Sequence, residues 1–224
     1  MDRHSRFRRI VGDGSYWFHL HTTTTDGLLE AEDYAAEARA AGIEHVIFLE
    51  HVRRNATYDT EAFSCRAREA CTAEGLRPLV GFEAKLLVDG TLDISDKDLD
   101  RADVVGIAEH GWSKRTEPLG ETLARCFEAY GGGKAPCPAV WVHPGSSRPQ
   151  FRPGQRGRSE YIDLLLGALS SGIWVERNLK YGLLDVSALN ALGRRDIVLG
   201  GDCHTREDVK RLDENTHPQP VLPA

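Results

Sequence analysis

Two histidines separated by one residue end the first apolar run of the sequence. Residues 17–27 read WFHLHTTTTDG, in which His19, His21 and Asp26 can bind metal ions. Mixed imidazole and carboxylate ligands are typical of zinc, iron or manganese, whereas calcium and magnesium prefer oxygen ligands alone. Side chains two apart in a strand share one side, so His19 and His21 are expected to face the same ion. The four threonines are expected to form a turn that brings Asp26 back to the site.

Residues of the same types recur at the ends of the other β-rich runs. A single histidine at a strand end is usually structural, but repetition on run after run indicates a metal centre. Six imidazoles and three carboxylates exceed the ligands of one ion, so two or three divalent Zn, Mn or Fe ions are expected. The nine expected ligands are His19, His21, Asp26, His51, Glu83, His110, His143, Asp202 and His204.

Seven β-rich runs alternate with segments of helical spacing. The β-rich runs are 16–20, 45–49, 79–82, 104–108, 139–142, 173–175 and 197–199, and the helical segments are 30–41, 59–74, 96–101, 119–130, 159–169 and 186–192. Alternation of this kind predicts an α/β fold with parallel strands. A closed or nearly closed barrel is the first choice and an open doubly wound sheet the second. In such barrels, active sites lie at the C-terminal ends of the strands.

Length, charge and cysteine content narrow the function further. The 224 residues predict one catalytic domain over 1–212, with 213–224 as a loosely ordered tail. A net charge of −6 disfavours non-specific nucleic-acid binding. The chain contains no apolar run of membrane-spanning length and no signal-peptide pattern. Five cysteines without a C-x-x-C pair predict reduced thiols and a cytoplasmic location.

Taken together, the strand-end motifs resemble the PHP (polymerase and histidinol phosphatase) family of metal-dependent phosphoesterases. The family begins with H-x-H followed by Asp-Gly and ends with G-x-D-x-H. The matching segments are H-L-H at 19–21, D-G at 26–27, E-H at 50–51, the glutamate of V-G-F-E at 83, His110, H-P at 143–144, E-R-N at 176–178 and G-G-D-C-H at 200–204. The likeness covers about residues 16–210. One departure is Glu50, where the family usually has aspartate.

The resemblance implies a distorted (β/α)7 TIM-like barrel with a trinuclear metal centre at the C-terminal ends of the strands. The implied ion sites are His19, His21, Glu83 and Asp202 for the first, Glu83, His110 and His143 for the second, and Asp26, His51 and His204 for the third. The implied activity is hydrolysis of a small phosphomonoester by attack of a metal-bridging hydroxide on phosphorus. A catalytic role is expected for Asp202, which would hydrogen-bond to that hydroxide as well as bind metal.

Basic residues after the strand-end motifs are candidates for binding the phosphate. Arg177 and Lys180 follow the sixth run, and Arg148 lies in the arginine-rich loop 146–158 after the fifth. That loop is interpreted either as a lid whose arginines clamp phosphate or as an ordinary solvated loop. Further candidates that the sequence does not rank are Lys85, Lys114 and Arg206.

Three other functions use similar ligands. A phosphodiesterase or exonuclease acting on nucleic acid is disfavoured by the acidic net charge and by the lack of interleaved aromatic and basic residues. A metal-dependent C–N hydrolase would begin with H-x-H but would lack Asp26 and His51. A non-catalytic metal-binding module has no need of nine ligands. The expected partner is therefore a small phosphorylated substrate, with no membrane; nucleic acid is the disfavoured alternative, and the oligomeric state stays open.

Overall fold

Seven parallel strands form one sheet in the computed structural model, which describes residues 1–112, 118–193 and 196–216. The strands are β1 Tyr16–Leu20, β2 His45–Val52, β3 Arg77–Lys85, β4 Val105–Ala108, β5 Ala139–Trp141, β6 Trp174–Asn178 and β7 Ile197–Gly200. Each strand pairs in parallel with the next along the chain. All seven predicted strands are confirmed, and their C-terminal ends meet at one end of the sheet.

Backbone hydrogen bonds join the first strand to the segment that follows the last. The Gly201 N–H donates to the Phe18 carbonyl at 3.0 Å, and the Cys203 N–H donates to the His19 carbonyl at 2.9 Å. The His21 N–H in turn donates to the Cys203 carbonyl at 2.9 Å. These bonds make the sheet a nearly closed barrel, so the distorted (β/α)7 barrel is confirmed and the open sheet is wrong.

Eight α-helices accompany the strands in the described part of the chain. They are α1 Arg3–Asp13, α2 Ala31–Ala40, α3 Thr60–Ala73, α4 Asp96–Arg101, α5 Leu119–Tyr130, α6 Arg158–Ser170, α7 Val186–Leu192 and α8 Arg206–Thr216. Side-chain caps begin several of them, such as Asp59 on α3 and Asp185 on α7. The six predicted helices are confirmed to within a few residues, but α1 and α8 were not expected.

The barrel has an inner core and an outer core. The inner core holds alternate residues of the strands, including Phe18, Ile47 and Val198. The unexpected helix α1 adds Phe7 and Ile10 to it, and both side chains are fully buried. Because Phe7 packs on Phe18 and on Trp174 near the starts of their strands, α1 closes the end of the barrel opposite the strand-end motifs.

Three smaller expectations have different outcomes. Helix α8 extends to Thr216, four residues into the segment expected to be a loose tail, and residues 217–224 lie outside the described residues. All five cysteines are unpaired, as the sequence predicted. Among the residues that the structure describes, no helix is long and apolar enough to cross a membrane.

Candidate metal centre

A bulge in β1 turns His19 into the barrel. Trp17 packs in the outer core and Phe18 in the inner core, so a regular strand would point His19 outwards. Instead, the pairing of β1 with β2 shifts between Phe18 and Leu20, and His19 has a left-handed φ of 72°. Leu20 then packs in the outer core and His21 follows on the inside. The two histidines do converge, but through this bulge and not through the simple alternation expected from the sequence.

Two other expected ligands also have a left-handed backbone conformation. His143 has φ 29° and Asp202 has φ 48°, so three of the five non-glycine residues with positive φ in the described chain belong to the expected ligand set. Such conformations are costly for residues other than glycine and persist where the surrounding structure enforces them. Their concentration at one end of the barrel indicates a functional site there.

The structure brings eight of the nine expected ligands into three overlapping groups. Within each group, the atoms that can bind a metal lie within 4.8 Å of one another. The groups are His19, His21, Glu83 and Asp202; His21, Asp26, His51 and His204; and His51, Glu83 and His110. The first is fully buried, whereas the second is half open, with the Asp26 side chain 54% exposed.

The grouping differs in detail from the one that the resemblance implies. The first group is the expected one, but His51 joins the group of His110, and His21 joins the group of His204. His143 lies beside these groups, with its Nε2 at 3.3 Å from the Glu83 carboxylate and its ring centroid 4.9 Å from that of His110.

Glu83 lies at the centre of the cluster that the expected ligands form. Its carboxylate contacts His110, lies 2.8 Å from His19 Nε2, and lies 3.4 Å from His21 Nε2. Burial alone would raise the pKa of Glu83, but the surrounding imidazoles, His143 foremost, lower it well below its usual value. Glu83 is therefore an anion that reaches two of the three groups, as a bridging ligand must.

Glu176 contacts two of the expected ligands, His19 and His143. Its Oε1 lies 2.7 Å from His19 Nδ1, and its Oε2 accepts hydrogen bonds from the His143 N–H and from Asn178 Nδ2. The side chain is fully buried. A carboxylate on the second nitrogen of a ligating histidine fixes the ring and raises its basicity, so Glu176 orients His19 towards the centre.

Glu50 anchors the threonine turn. Its Oε2 accepts from the Thr22 N–H at 2.9 Å and from the Thr22 hydroxyl at 2.6 Å, and its other oxygen accepts from the Thr25 hydroxyl. The same carboxylate lies 3.6 Å from His21 Nδ1. Glu50 is not part of the three groups, and it fixes the turn that presents Asp26.

The residues present fit divalent metal ions. Both ring nitrogens of His21 and the Nδ1 of His51 are buried without a hydrogen-bond partner, although a buried polar atom normally has one. The carboxylates of Glu83, Glu176 and Asp202 are buried close to them. Buried charges are stable when they are paired or coordinate metals, so cations among these groups would satisfy both the nitrogens and the carboxylates.

The pKa values of the expected histidine ligands shift in opposite directions when no metal is bound. Burial opposes the charge on His19, but Glu176 and Glu83 outweigh it and raise the pKa of His19 to about 10. The neighbouring carboxylates likewise overcome burial and raise the pKa values of His21 and His143. Burial instead lowers the pKa of His51 to about 4 and lowers that of His204. His51 and His204 are thus ready to bind metal at neutral pH.

Metal binding is expected to release protons. At neutral pH the raised pKa values of His19 and His21 keep both imidazoles protonated, and a metal ion must displace those protons. Affinity therefore rises as the pH rises towards those pKa values and falls in acid. Isothermal titration in buffers of different ionisation enthalpy should show about two protons released per chain at pH 7. A binding enthalpy that is independent of the buffer would contradict this.

Lys180 is the one predicted substrate-binding residue that contacts the cluster in the described chain. Its Nζ donates to the Asp202 carbonyl at 3.1 Å and lies 2.9 Å from His204 Nδ1.

The next residue, Tyr181, also lies beside the cluster and was not predicted from the sequence. Its ring stands edge-on to His143 with centroids 6.1 Å apart, and 41% of the residue is exposed. Burial and the charges of nearby carboxylates raise the pKa of Tyr181 to about 12.

Arg177 lies on the other side of its strand. Glu176 and Asn178 face the centre, so the alternation of β6 turns Arg177 outwards. There it lines a separate cavity with Val11 and Leu189, and the described lining of that cavity contains none of the expected ligands. The structure therefore does not bring Arg177 to the cluster of expected ligands, and its binding of substrate stays a prediction.

The arginine-rich loop is packed against the barrel. Phe151 is buried and stacks on Tyr161, and Arg158 pairs with Asp185 at 2.8 Å, so Arg158 is already engaged. Arg148 is half-buried and its Nε has no hydrogen-bond partner, so its binding of substrate stays a prediction. Of the unranked candidates, Arg206 pairs with Asp33 and Glu37, Lys85 lies near Gly111, and Lys114 lies outside the described residues.

Buried Glu109 is a second residue that the sequence reasoning left without a role. It accepts hydrogen bonds from Trp141 Nε1 at 2.9 Å and from the Ser147 hydroxyl at 3.2 Å. Ser146 meanwhile lies 3.3 Å from His143 Nδ1. Glu109 thus ties the start of the arginine-rich loop to the end of β4, beside the metal centre.

Comparison with known proteins supports the fold. No protein-family model and no curated protein matches the chain. One similar solved structure is a two-domain protein from Bacteroides vulgatus that contains a predicted PHP-like metal-dependent phosphoesterase. The two are 14% identical with a TM-score of 0.50, and the match covers 87% of this chain and 53% of that protein. The chain therefore spans about half the length of that protein, and the likeness concerns the fold.

Proposed function

We propose that the protein is a metal-dependent phosphoesterase that hydrolyses a small phosphomonoester. The observation that carries the proposal is the set of overlapping ligand groups around buried Glu83, which provides for ions that share ligands. Neighbouring ions of this kind supply an activated water and neutralise charge on a phosphoryl group. The solved structure from Bacteroides vulgatus, with its PHP-like phosphoesterase, supports the same reaction class by analogy of fold.

The buried ligands and the solvent-exposed ligands would have different roles. His19, His21, Glu83 and Asp202 are buried and would hold an ion permanently, while Asp26 and the residues around it are open to solvent. A phosphate can approach only from the open side. Asp202 lies between the two regions, 3.4 Å from His21 Nε2 and 3.5 Å from His204 Nδ1. Its carboxylate is therefore the group best placed to orient the attacking water.

Lys180 would bind the phosphate at the open side. The ammonium group already reaches His204 and Asp202, and its side chain is 26% exposed. Lys180 follows the end of β6 and, unlike Arg177, lies beside His204 of the open ligand group, where substrate would enter. The ammonium group would neutralise a phosphoryl oxygen and leave the ions free to act on the others.

Replacing Lys180 and Arg177 by methionine should separate their roles. Loss of a charge-assisted contact is expected to lower kcat/KM by about tenfold or more in Lys180→Met. Arg177→Met should stay within about twofold of the wild type, because Arg177 faces a cavity whose described lining contains none of the expected ligands. Steady-state phosphate release from the same ester measures both variants, and an equal loss in the two would contradict this placement of the residues.

A phosphodiesterase acting on nucleic acid is the second candidate. The observation in its favour is the cluster itself, because the same ions can cleave a diester. Against it stands the packed arginine-rich loop, in which Phe151 is buried and Arg158 is bound to Asp185, so these residues do not form an open basic groove. We therefore place hydrolysis of small monoesters first.

One experiment decides between the two reactions. Purified protein loaded with Mn, Zn or Fe in turn is given a panel of small phosphomonoesters and a labelled oligonucleotide. The proposal predicts metal-dependent phosphate release from at least one monoester and little cleavage of the oligonucleotide. Efficient cleavage of the oligonucleotide alone would replace the proposal by the second candidate, and inactivity of metal-loaded protein on both would overturn both.

A further inference from the structure

A small cavity adjoins the metal centre on the side of β2. Its volume is about 180 Å³, and its lining includes Thr25, His51, Arg53, Thr57 and Tyr58. His51 belongs to the open ligand group, and Thr25 directly precedes Asp26 of that group. A group bound in this cavity would therefore lie next to the ligands where the phosphate would be held.

The size of the cavity suits part of a substrate. Complete ligand pockets usually measure about 300–1,000 Å³, so 180 Å³ is too small for a whole metabolite. At about 30 Å³ for each water-sized group, it holds on the order of six non-hydrogen atoms. This matches a short polar group attached to a phosphate ester, and not a nucleobase or a chain of sugars.

Arg53 gives the cavity its charge. Among the described residues that line the cavity, it is the one permanently charged side chain, and 45% of that side chain is exposed. Its Nη1 donates to the Val52 carbonyl at 2.7 Å, which fixes the guanidinium, while Nη2 has no hydrogen-bond partner among the described residues. Asp93 Oδ2 lies 3.6 Å from Nε, beyond hydrogen-bond distance, while Asp93 Oδ1 accepts from the Arg54 N–H at 3.1 Å. Arg53 thus keeps donors for a further anion.

The remaining wall adds shape and little charge. The Tyr58 hydroxyl donates to the His51 carbonyl at 2.8 Å, so the ring forms a fixed wall of the cavity. The Thr25 hydroxyl is bound to Glu50, which leaves Thr57 as the neutral donor beside Arg53. A cationic group would meet the positive charge of Arg53 here, and an apolar group would leave its Nη2 without an acceptor.

We propose that Arg53 binds a second anionic group of the substrate, a carboxylate or another phosphate, on the alcohol part of the ester. This inference rests on the proposed function and narrows its substrate class to short phosphomonoesters with two anionic ends. The ions and Lys180 would hold the phosphate that is cleaved, and the guanidinium would hold the other end. The spacing of the two ends would then select the substrate.

Three phosphate esters built on the same two-carbon unit test the inference. They are ethyl phosphate, 2-phosphoglycolate and ethylene glycol bisphosphate, whose second groups are a methyl, a carboxylate and a phosphate. We expect the wild type to favour at least one dianionic ester over ethyl phosphate by about tenfold or more in kcat/KM, the effect of one charge-assisted hydrogen bond. The better of the two shows whether a carboxylate or a phosphate is preferred.

Arg53→Met and the matched control Arg54→Met complete the test. Arg54 is the neighbouring arginine, but it lines a different cavity and donates to Thr91. The preference for the dianionic ester should fall to near one in Arg53→Met and persist in Arg54→Met. Equal hydrolysis of the three esters by the wild type, or an unchanged preference in Arg53→Met, would overturn the inference alone. No phosphate release from the three esters would also overturn the inference, and the proposed function falls with it only if every other monoester of the panel is inert too.

Discussion

Glu83→Gln is expected to abolish hydrolysis while leaving the fold intact. Glutamine has the same shape, but it lacks the negative charge that the surrounding imidazoles favour and that a bridging ligand needs. Loss of several kcal/mol of stabilisation by the ions corresponds to a fall of about 1,000-fold or more in kcat/KM. Metal content should fall in the same variant, because Glu83 belongs to two of the three ligand groups.

The measurement needs a control for the change of charge. Glu69→Gln makes the same substitution at an exposed position of α3 and should leave activity and metal content unchanged. Circular dichroism and thermal unfolding of both variants establish that the barrel is retained. Near-normal hydrolysis by folded Glu83→Gln protein would show that the cluster does not carry the reaction.

Gly200→Ala should damage the centre without touching a ligand. A Cβ at Gly200 would lie 1.8 Å from Glu176 Oε1 and 2.6 Å from its Cδ, so the buried carboxylate has to move. Glu176 then releases His19 and the His143 N–H, which it now holds. Loss of such a supporting contact typically lowers metal affinity or activity by about 10–100-fold, and we expect a loss of that size in kcat/KM.

Gly120→Ala is the matched control for this steric effect. A Cβ at Gly120 would meet only Leu164 Cδ2, at an ordinary distance of 3.5 Å. Metal affinity and kcat/KM should stay close to wild type in this variant. If Gly200→Ala also kept wild-type metal affinity, Glu176 would not be the residue that orients His19.

Most of the barrel and of the ligand set could be predicted from the sequence. The strands are short apolar runs with residues such as Glu83 and His51 near their C-terminal ends, so the convergence of these residues comes from the shared end of parallel strands. Helix α1 could not be predicted in the same way. Its buried face consists mainly of Phe7 and Ile10 in an otherwise polar segment, and only the open end of a barrel gives those two side chains a place to pack.

Side-chain direction at the strand ends was harder to predict. Nothing in the residue types at His19 or His143 predicts a left-handed backbone, which glycine or asparagine would normally adopt. Arg177 is the opposite case, because simple alternation along β6 already places it away from Glu176. A role for Arg53 could not be predicted from the sequence, because the residue lies just after β2 and only the folded loop brings it to the wall of a cavity.

The number of metal ions bound per chain tests the central claim most directly. Protein freed of metal by a chelator is dialysed against Mn, Zn or Fe in turn, and the bound ions are counted by elemental analysis, with Glu83→Gln beside the wild type. The overlapping ligand groups predict two or three ions per wild-type chain with at least one of these metals, and a lower number in Glu83→Gln. A wild-type content near zero with every metal would contradict the account.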